Sequence, residues 1–302
     1  MKPEPLIVYI PGLLPKPEPH LHREQLLRCL LAGVRKSDTS VADDIEACPR
    51  CFDLVSWTYD FYREHRDIDQ DLADIEQLLS RDRASERDIE EAVSWGRRFA
   101  LALYRVGDYM PFLIPRLANE KLEVHLRDLL RYNRNVNDIA EHTRRQLKRP
   151  LEAAASAQRP ILLIAHSMGS VISFDALWQL THVDRRPVTI DAWLTLGSPL
   201  GQNYLQKRLL GCDRSGAERY PDNVRRWLNV AAYGDMTAVD RRFENDFAEM
   251  ARLSLLEEIV DYPVFNHYRF QGRLDAHAEY GYLVNETTAG LVCEWWREQR
   301  AP

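Results

Sequence analysis

The sequence has no surplus of basic residues and no long apolar run, and each absence excludes a class of function. Its 302 residues contain 40 Lys and Arg against 46 Asp and Glu, a formal net charge of −6. Since no basic surplus exists to neutralise phosphates, nucleic acid is not expected as a partner. No stretch approaches the roughly 18 apolar residues that a membrane helix needs, so we expect no integral membrane segment.

Cysteines are few, odd in number and scattered, which predicts a reducing compartment. The apolar stretch near the N-terminus is short and interrupted by proline, so we expect no signal peptide and a cytoplasmic location. Cys48-Pro49-Arg50-Cys51 has the spacing of a zinc knuckle, but no second pair or histidine cluster is near it. The sequence therefore predicts no metal site and no cofactor, and it does not indicate an oligomeric state.

The order of apolar runs predicts an α/β fold. Apolar residues make up 45% of the chain and charged residues 28%, as in globular proteins, and the length fits one domain over 1–302. Helical patterns near Arg23–Val34, 168–181 and 286–299 alternate with expected strands. This alternation predicts a mainly parallel central sheet with helices on both faces. The expected strands are Leu6–Ile10, Phe52–Tyr59, Ile161–Ala165, Thr189–Leu196, Arg226–Ala232 and Tyr262–Phe270.

The segment 159–177, RPILLIAHSMGSVISFDAL, joins a strand to a helix through a turn of small residues that carries Ser167. Ala165 and Gly169 stand two positions either side of the serine, where the strand and helix backbones nearly touch. The turn resembles the nucleophile elbow of the α/β-hydrolase family of serine esterases and lipases, with Ala165 replacing the first glycine of G-x-S-x-G. The alternative, a serine that only caps a helix, accounts for less of this pattern.

The resemblance implies an α/β-hydrolase fold in which an acid and then a histidine follow the serine, each after a strand. Asp235 follows the strand WLNVAA by a Tyr233-Gly234 turn, whereas the other acids lack such a position. His267 and His277 are the histidines beyond Asp235. We expect His267 within a strand and His277 in the loop before the last helix, so His277 is the predicted base, Asp235 the acid and Ser167 the nucleophile.

Two backbone N–H groups are needed to bind the oxyanion of an acyl-transfer intermediate. The resemblance implies Met168, directly after the serine, and Leu13, in the loop after the first strand. Pro11 stands where the family often has histidine. His166 is expected either to line the pocket or to pack beside the serine, and Ser198 belongs to a Gly-Ser-Pro segment like those near the acyl pocket of lipase-like members. The candidates for lining the substrate pocket are Gly12, His166, Ser198, Phe112 and Leu113.

Residues 61–150 are expected to form a largely helical insertion. Ser85 and Asp88 have capping-box spacing, ahead of an apolar face that includes Ile89, Val93, Phe99, Leu103 and Val106. The apolar segment Tyr109–Pro115 is interpreted either as a lid over the active site or as a pin to the core.

The function expected is hydrolysis of a carboxylic ester through an acyl-enzyme, on a small-molecule or lipid substrate. Three alternatives stay open: a lipase or phospholipase, an acyltransferase using the same three residues, and a non-catalytic binding module of the same fold.

Overall fold

Six parallel strands form the central sheet in the part of the chain that the structure describes. The structure is a computed structural model that describes residues 3–97, 100–101, 120–238 and 242–300. The order of the strands in the sheet is β2-β1-β3-β4-β5-β6, and every neighbouring pair is parallel. A short antiparallel hairpin, β7 and β8, follows. The strands are β1 (Leu6–Ile10), β2 (Phe52–Leu54), β3 (Ile161–His166), β4 (Ile190–Leu196), β5 (Val224–Ala232), β6 (Glu258–Val264), β7 (Arg269–Phe270) and β8 (Arg273–Leu274).

Helices connect the strands of the sheet. Short 3₁₀ turns lie at Pro49–Cys51, Val136–Asp138 and Gly216–Arg219. The α-helices in the described part of the chain are α1 (Pro19–Ser37), α2 (Thr39–Glu46), α3 (Thr58–Tyr62), α4 (Asp69–Leu79), α5 (Glu86–Ala92), α6 (Glu120–Asn133), α7 (Ile139–Ser156), α8 (Met168–His182), α9 (Asn203–Gln206), α10 (Phe243–Asp246), α11 (Ala248–Arg252), α12 (Glu279–Val284) and α13 (Glu286–Arg300).

The apolar core divides into two layers, one on each face of the sheet. Alternate residues of a strand belong to opposite layers, as Val8 and Ile7 of β1 do. Helices α7 and α8 supply the first layer, and α1, α12 and α13 supply the second. The first layer includes the stacked rings of Trp193 and Trp227, whose centroids are 4.3 Å apart. The α/β class, with a mainly parallel sheet and helices on both faces, is therefore confirmed.

Two predicted strands differ from those in the structure. The second strand ends at Leu54, and helix α3 occupies the end of the range predicted for it. The sixth lies at Glu258–Val264, where it pairs with β5, rather than at 262–270. The Asn266 amide then accepts from the Tyr268 N–H and donates to the carbonyl of Ala278, which supports a turn in place of an extended chain. His267 consequently lies in a connecting loop, and the prediction of a strand there was wrong.

The capping box before α5 is confirmed, but the two described residues of the predicted apolar face are exposed; its other residues, Phe99, Leu103 and Val106, lie outside the described part of the chain. Ser85 and Asp88 exchange the two hydrogen bonds of the box. Ile89 and Val93 are 37% and 43% exposed, so they do not face the core. Helix α5 is held instead through its acids, because Arg269 donates to Asp88 and to Glu91. Phe112, Leu113 and the segment Tyr109–Pro115 lie outside the described residues, and the single-domain assignment and the 61–150 insertion stay predictions.

Cys48 and Cys51 are joined by a disulfide, which the scattered-cysteine interpretation did not predict. The other three cysteines, Cys29, Cys212 and Cys293, are free thiols. Among the helices of the described residues, none combines the length and apolarity that crossing a bilayer requires. The cytoplasmic location stays a prediction.

Candidate active site

Ser167 lies on a strained turn at the carboxyl edge of the sheet. It directly follows β3 and precedes α8, with φ of 53° and ψ of −123°. A positive φ is costly for a residue with a side chain and is typical of functional turns. The turn is tight: a Cβ added to Gly169 would lie 2.9 Å from the carbonyl oxygen of Pro11 and closer still to that of Ile10. Glycine at position 169 therefore lets α8 pass directly over the end of β1.

Three predicted residues form one chain of hydrogen bonds at this edge. The Ser167 Oγ and the His277 Nε2 are 2.9 Å apart. The His277 Nδ1 and the Asp235 Oδ2 are also 2.9 Å apart. Ser167 follows β3 and Asp235 follows β5, and both strands are parallel to β4 between them, so the two residues lie at the same edge of the sheet. His277, in the loop after the β7–β8 hairpin, bonds to both of them. Such an arrangement can move a proton from the hydroxyl to the imidazole.

Asp235 is buried, and its carboxylate accepts several hydrogen bonds. Oδ2 accepts from the Tyr282 hydroxyl at 2.7 Å, and Oδ1 accepts from the Thr237 N–H at 2.8 Å. Burial alone would raise the pKa of Asp235, but His277 and these donors outweigh it, so the pKa is lowered. The carboxylate therefore stays ionised beside the imidazole.

The pKa of His277 is shifted in the opposite direction. Burial would lower the pKa of His277, but the charge and hydrogen bond of Asp235 outweigh it and raise the pKa. Gly197, at the end of β4, makes room for the pair: a Cβ there would lie 2.7 Å from Asp235 Oδ2 and 3.1 Å from His277 Nδ1. Gly197 also has a φ of +56°, so both its conformation and its surroundings favour glycine.

The backbone groups predicted for the oxyanion lie beside Ser167. Met168 begins α8, and the first N–H groups of a helix lack an intrahelical partner. A Cβ on Gly12 would lie 2.8 Å from Ser167 Cβ, so the loop after β1 passes directly over the serine. Within that loop the Leu14 N–H donates to the Tyr62 hydroxyl, and the role of the Leu13 N–H as the second donor stays a prediction.

The remaining candidates are placed as follows. Ser198 is buried, and its Oγ is 2.7 Å from Ser170 Oγ, on the helix behind the serine. His166 is buried with its ring against His277. His267 is buried too; its carbonyl accepts from Arg81, and its Nε2 has no hydrogen-bond partner among the residues that the structure describes. Phe112 and Leu113 lie outside the part of the chain that the structure describes.

Sequence reasoning did not single out Tyr282 or the buried acid Glu279. Glu279 accepts from Lys16, His22 and Tyr9 within 3.1 Å. Their one sequence signal was position, because both closely follow His277 in the segment before the last helix.

Among the described residues, the Cys48–Cys51 pair has one candidate partner for metal binding, Glu4, whose Oε2 is 3.6 Å from Cys48 Sγ. Both sulfurs are committed to the disulfide, and Arg50 Nε donates to the same Glu4 oxygen at 2.6 Å. Because the positively charged Arg50 is bonded to Glu4, the carboxylate that the described residues place beside the sulfurs, a metal ion is disfavoured there.

Comparison of the chain with protein-family models, curated proteins and solved structures found no match. The interpretation of the site therefore rests on its own geometry.

Proposed function

We propose that the chain is a serine hydrolase that cleaves carboxylic esters through an acyl-enzyme. The observation that carries the proposal is the continuous hydrogen-bonded chain from Ser167 through His277 to the buried Asp235. In the proposed reaction the Ser167 Oγ attacks the ester carbonyl as His277 Nε2 takes its proton. His277 then gives that proton to the leaving alcohol, and Asp235 stabilises the imidazolium without being protonated.

The backbone at both sides of the serine supports the same reaction. The tetrahedral intermediate carries a negative charge on its former carbonyl oxygen, which the N–H groups of Met168 and Leu13 would bind. Water then attacks the acyl carbon as His277 takes one of its protons, and His277 returns that proton to the Ser167 Oγ as the acyl–serine bond breaks and the carboxylic acid leaves. The α/β-hydrolase family remains part of this proposal, supported by the elbow turn at Ser167 and by the order Ser, Asp, His along the chain.

The test is hydrolysis of p-nitrophenyl esters of increasing acyl length by the wild type, Ser167→Ala, His277→Ala and the double variant. Each single variant should lose about 10⁴–10⁶-fold in kcat, and the double variant no more, because serine and base act as one unit. Activity retained in Ser167→Ala would contradict the proposal and favour the binding-module alternative. Preference for long acyl chains would favour a lipase.

A further inference from the structure

Residues 275–279, the loop that carries His277, are called the base loop below. A backbone carbonyl of this loop accepts a hydrogen bond from His166, outside the loop. His166 Nε2 lies 2.7 Å from the carbonyl oxygen of His277. Since a carbonyl only accepts, Nε2 carries the hydrogen. Burial, followed by the charge of His277, lowers the pKa of His166 to about 3, so this ring is neutral and has one N–H to give. The two rings also pack together, with centroids 4.7 Å apart.

The end of the base loop is fixed by Glu279. One carboxylate oxygen accepts from Lys16 Nζ at 2.7 Å and from His22 Nε2 at 3.1 Å. The other accepts from the Tyr9 hydroxyl at 2.9 Å. Tyr9 is on β1 and Lys16 is in the loop after it, the same loop that passes over Ser167. Glu279 therefore ties the base loop to the loop proposed to bind the oxyanion.

This buried polar cluster has no evident value for stability alone. Burying a charge costs several kcal/mol, and apolar residues of similar volume often stabilise a core at least as well. What the cluster provides is placement: it fixes the base loop at residue 277 and again at residue 279. Placement matters because an error of about 1 Å in a reacting group can cost on the order of 10²-fold in rate.

We propose that His166 and Glu279 are positioning residues, which hold the base loop where the His277 Nε2 reaches the Ser167 Oγ. This inference rests on the proposed function, because it assigns both residues to the same reaction. Neither residue touches the reacting atoms in the proposed mechanism. His166 acts through the His277 carbonyl, and Glu279 acts through the end of the loop.

The experiment compares two amides at position 166. The amide nitrogen of glutamine can take the place of Nε2 and donate to the His277 carbonyl, whereas that of asparagine falls short of it. His182→Asn is the matched control, because His182 Nε2 also lies 2.8 Å from a backbone carbonyl, that of Tyr220, at the far end of α8. The measurements are kcat and KM for a p-nitrophenyl ester, and the low-field proton NMR signal of the His277 Nδ1–H bound to Asp235.

We expect His166→Asn to lower kcat by about 10²-fold at nearly constant KM, and to shift or broaden the His277 signal. His166→Gln should restore most of both, and His182→Asn should change neither. If His166→Asn keeps the wild-type kcat and an unchanged His277 NMR signal, the inference is overturned. It is also overturned if this variant loses stability while the His277 signal stays unchanged. If His166→Asn does not fold, Glu279→Gln is measured instead, with the same direction expected and the same unchanged values overturning the inference.

The two proposals fail differently. If wild-type hydrolysis does not depend on Ser167, the proposed function is wrong, and the NMR signal still decides whether His166 places His277. If hydrolysis depends on Ser167 but not on His166, only the inference about positioning is wrong.

Discussion

At the scale of single residues, the site joins two groups whose pKa values are pushed apart. The pKa of Asp235 is lowered and that of His277 is raised, each mainly by the other against the opposing effect of burial. The nearby His166, with a pKa of about 3, stays neutral at any pH at which the protein would be assayed. The acidic limb of a pH–rate profile should therefore report His277.

That limb provides a test of the role of Asp235. The base must be neutral to accept a proton, so kcat/KM should be low at acid pH and rise through the pKa of His277, above its ordinary value of 6.5. In Asp235→Asn the main cause of the raised pKa is lost, so the midpoint should move to lower pH. The kcat should also fall by about 10⁴-fold. A midpoint that does not move in this variant would contradict the assigned pair.

At the scale of elements, the elbow depends on the approach of α8 to the end of β1. Gly169 and Gly290 are both helical glycines, but a Cβ at Gly290 would meet nothing within 4 Å. Gly169→Ala should therefore destabilise the fold by about 1–3 kcal/mol, because the carbonyls of Ile10 and Pro11 block the methyl group. Gly290→Ala should be neutral or stabilise it by about 0.5–1 kcal/mol. Denaturant unfolding measures both, and equal effects would contradict the close approach.

The elements also show what a sequence can predict here. Strands β1 and β3 were predicted because they are uninterrupted apolar runs, and the elbow because the run ends in small residues. Asp235 and His277 were predicted from the order Ser, acid, His after strands that the family resemblance implies. The strand predicted through His267 was wrong because alternating residues look the same in a strand and in a loop that Asn266 turns by its side chain. The exposed face of α5 was missed because Arg269, which is 181 residues from Asp88, holds that helix.

Sequence reasoning could not find the buried cluster around Glu279, because its members are far apart in the sequence. His22 lies 257 residues before Glu279 in the sequence, and Tyr9 lies 270 residues before it. No local sequence pattern links residues so far apart. Polar residues at such positions look like surface residues until the fold brings them together.

At the scale of the whole molecule, Asp175 links helices that precede β3 to the helix that follows Ser167. Its carboxylate accepts from the Tyr132 hydroxyl of α6 at 3.0 Å and from the Leu210 N–H at 2.9 Å. Arg144 of α7 lies 3.8 Å away. Burial, although opposed by these partners, raises the pKa of Asp175 to about 6.

This raised pKa predicts a pH dependence of stability. An unfolded Asp ionises near pH 4, whereas the folded one holds its proton to about pH 6, so ionisation favours unfolding between these values. The contribution of Asp175 to the free energy of unfolding should fall by about 3 kcal/mol as pH rises from 4 to 6, at about 1.36 kcal/mol per pKa unit. In Asp175→Asn that titration is absent. The free energies of unfolding of the wild type and Asp175→Asn are measured from pH 4 to pH 6. A difference between the two proteins that stays constant over this range would contradict the raised pKa of Asp175.

The most direct test of the central claim, that Ser167 is an activated nucleophile, is labelling with a fluorophosphonate followed by intact-mass and peptide mass spectrometry. We expect one adduct, on Ser167, which is absent in Ser167→Ala. Labelling should be at least about 10³-fold slower in His277→Ala and unchanged in His267→Ala, since it is the ring of His277 that is hydrogen-bonded to Ser167. An adduct on another residue, or labelling of Ser167 that does not depend on His277, would contradict the account.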